Sequence, residues 1–230
     1  RSTLFPYTTL FRSSIVFMMK KQVFMWLSIA MFALFVIWTI LVKTVDVDVV
    51  SYNGTKLGFY HLNYRFGDLV TEFNKFAFMR TVSDILLYSA IAYSVVLVAI
   101  PVVQLIKYKT FKKVSTIFYF LGGAYFLIAF IYLFFELVKV NYAPDALKPS
   151  YPSSHVFIGC SLLLLNSYVL LKFLTIKLDI FKTMIHLSTV VLSLLLVLTR
   201  MLAVKHWLTD IIASVILTLA VYFLFIGMNR

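Results

Sequence analysis

Acidic residues, cysteine and charge of either sign are scarce in this chain. Of 230 residues only 9 are Asp or Glu, against 21 Lys or Arg, and charged residues make up 13%. Soluble domains carry about a quarter charged residues, so this balance argues against a water-facing globule. The one cysteine, Cys160, cannot close an internal disulfide and argues against a thiolate metal site. No internal repeat and no low-complexity tract interrupts the chain, which makes one domain the economical reading. What abounds is apolar: 62% of residues are hydrophobic, with 23 Phe and 14 Tyr. Such loading suits lipid contact and the aromatic belts of the membrane interface. The expected fold class is all-α, a polytopic membrane protein. The formal charge of +12 does not point to nucleic acid, because most lysines fall in short connections between apolar segments.

A membrane-crossing helix needs about 20 predominantly apolar residues. Six segments meet that need, roughly 22–43, 83–106, 114–138, 155–175, 181–199 and 207–228, so a bundle of six transmembrane helices is expected. Residues 1–17 precede them. Their opening, Arg1 to Ser13, reads as adapter-derived sequence, and the segment is set aside as a non-native leader. Residues 18–230 form the single domain, and the run after Lys20-Lys21 is read as a retained first span. Lys107, Lys109, Lys112 and Lys113 fill the second connection; Lys172, Lys177 and Lys182 fill the fourth. The positive-inside rule puts these connections, the N-terminus and Arg230 in the cytoplasm, and the first, third and fifth connections outside a cytoplasmic membrane. The first connection mixes Phe66, Leu69, Val70, Phe73, Phe76 and Phe78 with Asp68, Glu72 and Lys75. An interfacial helix on the outer leaflet and an irregular, partly packed loop both fit it.

Ionisable side chains are costly at membrane depth and tend to be functional where they occur. Arg200, His206 and Asp210 stand at the seam between the fifth and sixth spans, at R-x5-H-x3-D spacing. Tyr151-Pro152-Ser153-Ser154-His155 opens the fourth span. Asp210, one helical turn after His206, is expected to accept from one ring nitrogen and leave the other as a lone-pair donor. Arg200 can grip two phosphate oxygens with its fork, and Lys205 adds positive field. Ser153 and Ser154 suit a helix N-cap, where free N–H groups and the dipole make an anion site. His155, on the first turn, can hand a proton to a leaving oxygen.

These parts suggest phosphoryl transfer through a covalent phosphohistidine. His206 attacks phosphorus in line and His155 protonates the departing oxygen. Arg200, the serines and the helix amides hold the equatorial oxygens, and water then releases phosphate. Fixed donors meet the charge, so no metal and no cofactor is expected. A zinc site from His155, His206 and Asp210 is the alternative by ligand type, but Arg200 and Lys205 would repel a cation.

The two runs resemble the second and third signature motifs of the type 2 phosphatidic acid phosphatase family, P-S-G-H and S-R-x5-H-x3-D. Thr199 stands in place of the motif serine and Ser154 in place of the glycine. The resemblance covers Lys20 to the C-terminus. It implies a membrane-embedded, metal-independent lipid phosphatase, with His206 as nucleophile and His155 as general acid. The first motif, K-x6-R-P, is altered. If Pro144 is its proline, Ala143 replaces the arginine and Glu136 the lysine. Lys139 and Lys148 are then the candidates to rebuild a positive wall around the phosphate, although lysine lacks the guanidinium fork.

The expected function is hydrolysis of a lipid phosphate or diphosphate at the outer face of the membrane. Substrate classes that fit are phosphatidic acid, phosphatidylglycerophosphate and polyprenyl diphosphates such as undecaprenyl diphosphate. The alternative is a catalytically degenerate relative that binds or transports lipid phosphates. The bilayer is the expected partner, and no nucleic acid is. His61 and His186 lack polar company and are read as structural, and Trp207 as an interfacial anchor.

Overall fold

The computed structural model describes residues 7–50, 54–72, 78–144, 147–173 and 179–229. The N-terminal helix α1 spans Tyr7–Thr44 and is followed by a two-stranded antiparallel ribbon, β1 (Asp48–Val49) and β2 (Lys56–Leu57). Six more helices follow: α2 (Tyr60–Glu72), α3 (Phe78–Tyr108), α4 (Thr116–Leu137), α5 (Ser154–Phe173), α6 (Asp179–Leu202) and α7 (Leu208–Asn229). A short 3-10 turn, Phe111–Lys113, joins α3 to α4. Six of these helices are long and apolar enough to cross a membrane: residues Lys21–Thr44 of α1, and all of α3, α4, α5, α6 and α7. They match the six spans expected. Helix α1 begins earlier than its span, so residues 7–17 continue it; residues 1–6 lie outside the described residues. The same holds for Phe73, Lys75 and Phe76 of the first connection, and for Asp145, Lys177 and Arg230.

Helices α5 and α7 form the centre. Within their spans 61% and 56% of residues are buried, against 11–22% in the other four. Helix α1 packs along α7, where the Ser28 hydroxyl donates to the Ala220 carbonyl at 2.9 Å. Helices α3, α4 and α6 pack on α5. Outward faces are apolar, with Val95, Ile106, Phe126 and Leu137 exposed as a lipid-facing surface requires. Pro101 sits inside α3, a placement that membrane helices tolerate better than soluble ones. Inside the bundle a polar seam is satisfied side chain to side chain. Asn166 on α5 accepts from the Tyr125 hydroxyl and donates to Ser94 Oγ at 2.8 Å, and Ser167 meets Thr189 at 2.5 Å. Such hydrogen bonds join helices where lipid offers no competing partner.

The bundle has two unlike ends. At one, the start of α4 and the ends of α5 and α7 meet around Ser115, Thr116, Lys172 and Asn229, close to the lysine-rich 3-10 turn. At the other gather the end of α1, the starts of α3, α5 and α7, and the ends of α4 and α6.

Helix α2 caps this second end, so the first connection is helical over Tyr60–Glu72 and not an irregular loop there. Its Asn63, fully buried, donates to the Gly58 carbonyl at 2.9 Å and to Thr209 Oγ1 at 3.2 Å, and accepts from the Thr209 N–H at 3.3 Å. Gly58 lies so close to α1 that a Cβ there would sit 1.7 Å from the Val42 carbonyl oxygen. Asp46, in the left-handed region at φ 48°, accepts from His61 N–H at 2.9 Å and meets His61 Nδ1 at 2.7 Å. Those bonds hold its carboxyl below the usual range. His61 is thus a clasp of this cap, in keeping with a structural role.

Candidate active site

Four stretches far apart in sequence converge at the capped end. The loop 139–153 folds back on itself: Tyr142 and Pro149 form an antiparallel bridge, Ala143 N–H donates to the Lys148 carbonyl at 2.9 Å, and Ser150 N–H to the Asn141 carbonyl at 3.0 Å. That fold aims the Ser150 carbonyl at His206, whose Nδ1 lies 2.9 Å away. A carbonyl oxygen can only accept, so Nδ1 carries the proton and Nε2 keeps the lone pair. Nε2 faces the Arg200 guanidinium at 3.4 Å. Arg200 ends α6 with its side chain buried, and its Nη1 lies 3.7 Å from Asp84 Oδ1. The same Asp84 oxygen is 2.9 Å from His155 Nε2. An unbroken polar chain therefore runs from Ser150 through His206, Arg200 and Asp84 to His155.

Two expectations about His206 need correcting. It lies in the turn before α7, which starts at Leu208, and not on the helix itself. Asp210 Oδ2 is 3.9 Å from His206 Nδ1, beyond hydrogen-bond reach. The Ser150 carbonyl has the orienting position that the i,i+4 spacing assigns to Asp210. The helical-face argument fails because the histidine is outside the helix. Asp210, fully buried, instead accepts from Asn141 Nδ2 at 2.8 Å and from the Trp207 N–H at 3.3 Å. The second bond reaches back from the third helical residue to the cap residue, as one half of a capping box does. Asp210 also places a carboxylate at the positive end of α7. It thereby ties the loop 139–153 to the turn that carries His206.

Around this chain lie buried polar atoms without a partner among the described residues: Ser153 Oγ and His155 Nδ1. Ser153 immediately precedes α5, and its hydroxyl does not cap the helix; its carbonyl accepts from Ser214 at 3.0 Å. Ser154 and His206 line a cleft between α4 and α5, together with Tyr132, Glu136, Ser150 and Tyr151. Burial pushes the Tyr151 phenol well above its usual range, and its hydroxyl meets Thr39 Oγ1 at 2.7 Å, so it serves as a neutral polar wall.

Lys139 and Lys148 are not brought into the cluster. Both side chains are exposed, and neither makes a polar contact with Arg200, His206 or Asp210 among the described residues. What their backbones do is structural: the Lys139 carbonyl accepts from Lys43 Nζ at 3.3 Å, and the Lys148 carbonyl from Ala143. Trp207 is not an interfacial anchor. It is buried against Val50 and Leu57, stacks on Tyr64 with ring centroids 5.9 Å apart, and donates from Nε1 to the Tyr142 carbonyl at 2.7 Å. Sequence reasoning missed both Asp84 and Asn141. Asp84 had a legible signal, being an acid inside the first two turns of an apolar span. Asn141 had none.

No curated protein matches the chain by sequence. The family model of the PAP2 superfamily matches residues 129–230. Among solved structures, the chain is similar to the crystal structure of a transmembrane PAP2 type phosphatidylglycerolphosphate phosphatase from Bacillus subtilis. The TM-score is 0.60 at 18% identity, over 88% of this chain and 95% of that one. At that identity the likeness concerns the fold.

Proposed function

We propose that this chain, which over residues 129–230 belongs to the PAP2 superfamily, hydrolyses the phosphate ester of a membrane lipid through a phosphohistidine on His206. The observation that carries the reading is the tautomer of His206: its Nδ1 is held by the Ser150 carbonyl and its Nε2 lone pair faces Arg200. A nucleophilic histidine needs a third group that orients it and a cation that draws the electrophile. In the first step Nε2 attacks phosphorus and the bond to the lipid oxygen breaks. Arg200, the Ser153 hydroxyl and the first amides of α5 hold the equatorial oxygens. His155 gives its proton to the leaving oxygen. In the second step His155 takes a proton from water, the water oxygen attacks phosphorus, and the bond to Nε2 breaks. Phosphate leaves and both histidines return to their starting states.

The cleft supports lateral entry, since Tyr132, Phe135 and Glu136 of α4 form its wall. A head group can slide in from the bilayer while its tail stays in lipid. Lys112, Lys113, Lys172 and Lys182 flank the far end of the bundle, and under the positive-inside rule this supports a cleft on the outer side of a cytoplasmic membrane. The substrate classes in keeping with this are phosphatidic acid, phosphatidylglycerophosphate and polyprenyl diphosphate.

One observation favours a second reading, a non-catalytic relative that binds or moves lipid phosphates. Glu136 stands in the cleft wall where a phosphate site wants a cation, and neither Lys139 nor Lys148 offsets it. Phosphate release by purified protein from a panel of lipid phosphates, with and without EDTA, separates the two. Turnover that survives the chelator is the expected result. No turnover with any lipid would leave the second reading standing, and turnover lost to EDTA and restored by zinc or magnesium would overturn the metal-independent chemistry.

A further inference from the structure

Among the described residues, Asp84 is the acidic side chain that touches both His155 and Arg200. Its Oδ1 lies 2.9 Å from His155 Nε2 and 3.7 Å from Arg200 Nη1. It comes from α3, outside the segment 129–230 that matches the family model. Its side chain is 35% exposed and that of His155 is 22% exposed, so the pair is half-buried with Asp84 nearer to water. Among the described residues, the further charge close to His155 is Arg80, one turn earlier on α3.

The hydrogen-bond inventory decides how this pair works. An ionised carboxylate has no hydrogen to donate, so the bond to Asp84 requires a proton on His155 Nε2. The other nitrogen, Nδ1, is buried and has no partner among the described residues. In the imidazolium both nitrogens are protonated, and only the proton on Nδ1 can leave while Nε2 stays bound to Asp84. After it leaves, the neutral ring keeps its orientation and presents the Nδ1 lone pair. That lone pair is what the second step needs to accept the proton of water.

We propose that Asp84 is the positioning residue of the general acid: it holds Nε2 of His155, so that the transferred proton passes to and from Nδ1. The inference rests on the phosphatase reading. A carboxylate behind an imidazole orients the ring and stabilises its protonated form without taking the proton itself. Because the same oxygen also faces Arg200, the rival role for Asp84 is to place the guanidinium for phosphate binding. The two roles differ in which substrates suffer when Asp84 is changed.

Purified parent, Asp84→Asn, Asp84→Glu and His155→Ala proteins are assayed on two probes. One is a short-chain alkyl phosphate lipid, whose leaving alkoxide needs a proton. The other is an alkyl-substituted nitrophenyl phosphate, whose leaving phenolate does not. Detergent-phase thermal unfolding checks that each variant is folded. General acid catalysis is worth about 100-fold or more. Asp84→Asn is therefore expected to cut kcat on the alkyl lipid about 100-fold with little change in KM. Its loss on the aryl probe is expected to be at least about tenfold smaller, with His155→Ala showing the same imbalance and Asp84→Glu recovering part of the alkyl activity. Equal losses on both probes, or a loss confined to KM, overturn the inference and assign Asp84 to Arg200. If the parent releases phosphate from neither probe, the phosphatase reading falls and this inference falls with it.

Discussion

At the scale of single residues, the chemistry turns on which atom of a side chain is engaged. His206 has one ring nitrogen against a carbonyl and the other against a guanidinium, so Nε2 is the atom that attacks in the proposed mechanism. His206→Ala is expected to abolish both turnover and any acid-labile phosphoenzyme, with folding unaffected; a radiolabelled phosphoenzyme that persists in the variant would refute the assignment. Asp210 has a different part. With both oxygens accepting hydrogen bonds in a fully buried site, Asp210→Ala strands the amide of Asn141 and the N–H of Trp207. Each stranded donor costs about 1–3 kcal/mol, so the expected outcome is a clear drop in the thermal midpoint in detergent, with activity loss following from a loosened turn. A variant of unchanged midpoint and no activity would restore Asp210 to the chemistry. Lys139→Ala and Lys148→Ala are expected to keep most of the activity, because both side chains point to solvent.

At the scale of elements, the site depends on parts that carry none of its chemistry. Helix α2 reaches the start of α7 through Asn63, which pairs with both the hydroxyl and the N–H of Thr209. The first N–H groups of a helix have no partner within it, so a side chain that supplies one fixes the entry of the chain. Gly58 lets the segment leading into α2 pass against α1, where any Cβ would strike the Val42 carbonyl. Gly58→Ala is expected to displace the α2 cap at a cost of about 1–3 kcal/mol or more, since the clash is with backbone and cannot relax by a rotamer change. Thermal unfolding and protease sensitivity of the connection 45–60 measure it; a variant as stable and as protected as the parent would show that the cap is not held against α1.

At the scale of the whole molecule, the question is which way round the bundle sits. Single cysteines in a Cys160→Ser background report this. Leu147→Cys, in the exposed loop beside the site, is expected to react with an impermeant maleimide on intact cells. Lys112→Cys, in the turn between α3 and α4, is expected to react only after permeabilisation. The opposite pattern would move the site to the cytoplasmic leaflet.

The sequence by itself determined the class and the six spans, and it singled out His155, Arg200 and His206 as candidates, because each rests on a local rule. Span length follows from bilayer thickness, and rare ionisable groups stand out against an apolar background. Only the tertiary structure decided who orients whom. Ser150 reaches His206 across 56 positions and Asp84 reaches His155 across 71. No periodicity within one helix can register contacts made between the ends of different helices. Even the short spacing from His206 to Asp210 misleads, since the helical face it assumes begins two residues later, at Leu208. Trp207 shows the same limit: an aromatic at a span boundary reads as an anchor until the α2 cap folds over it and the Tyr142 carbonyl takes its N–H.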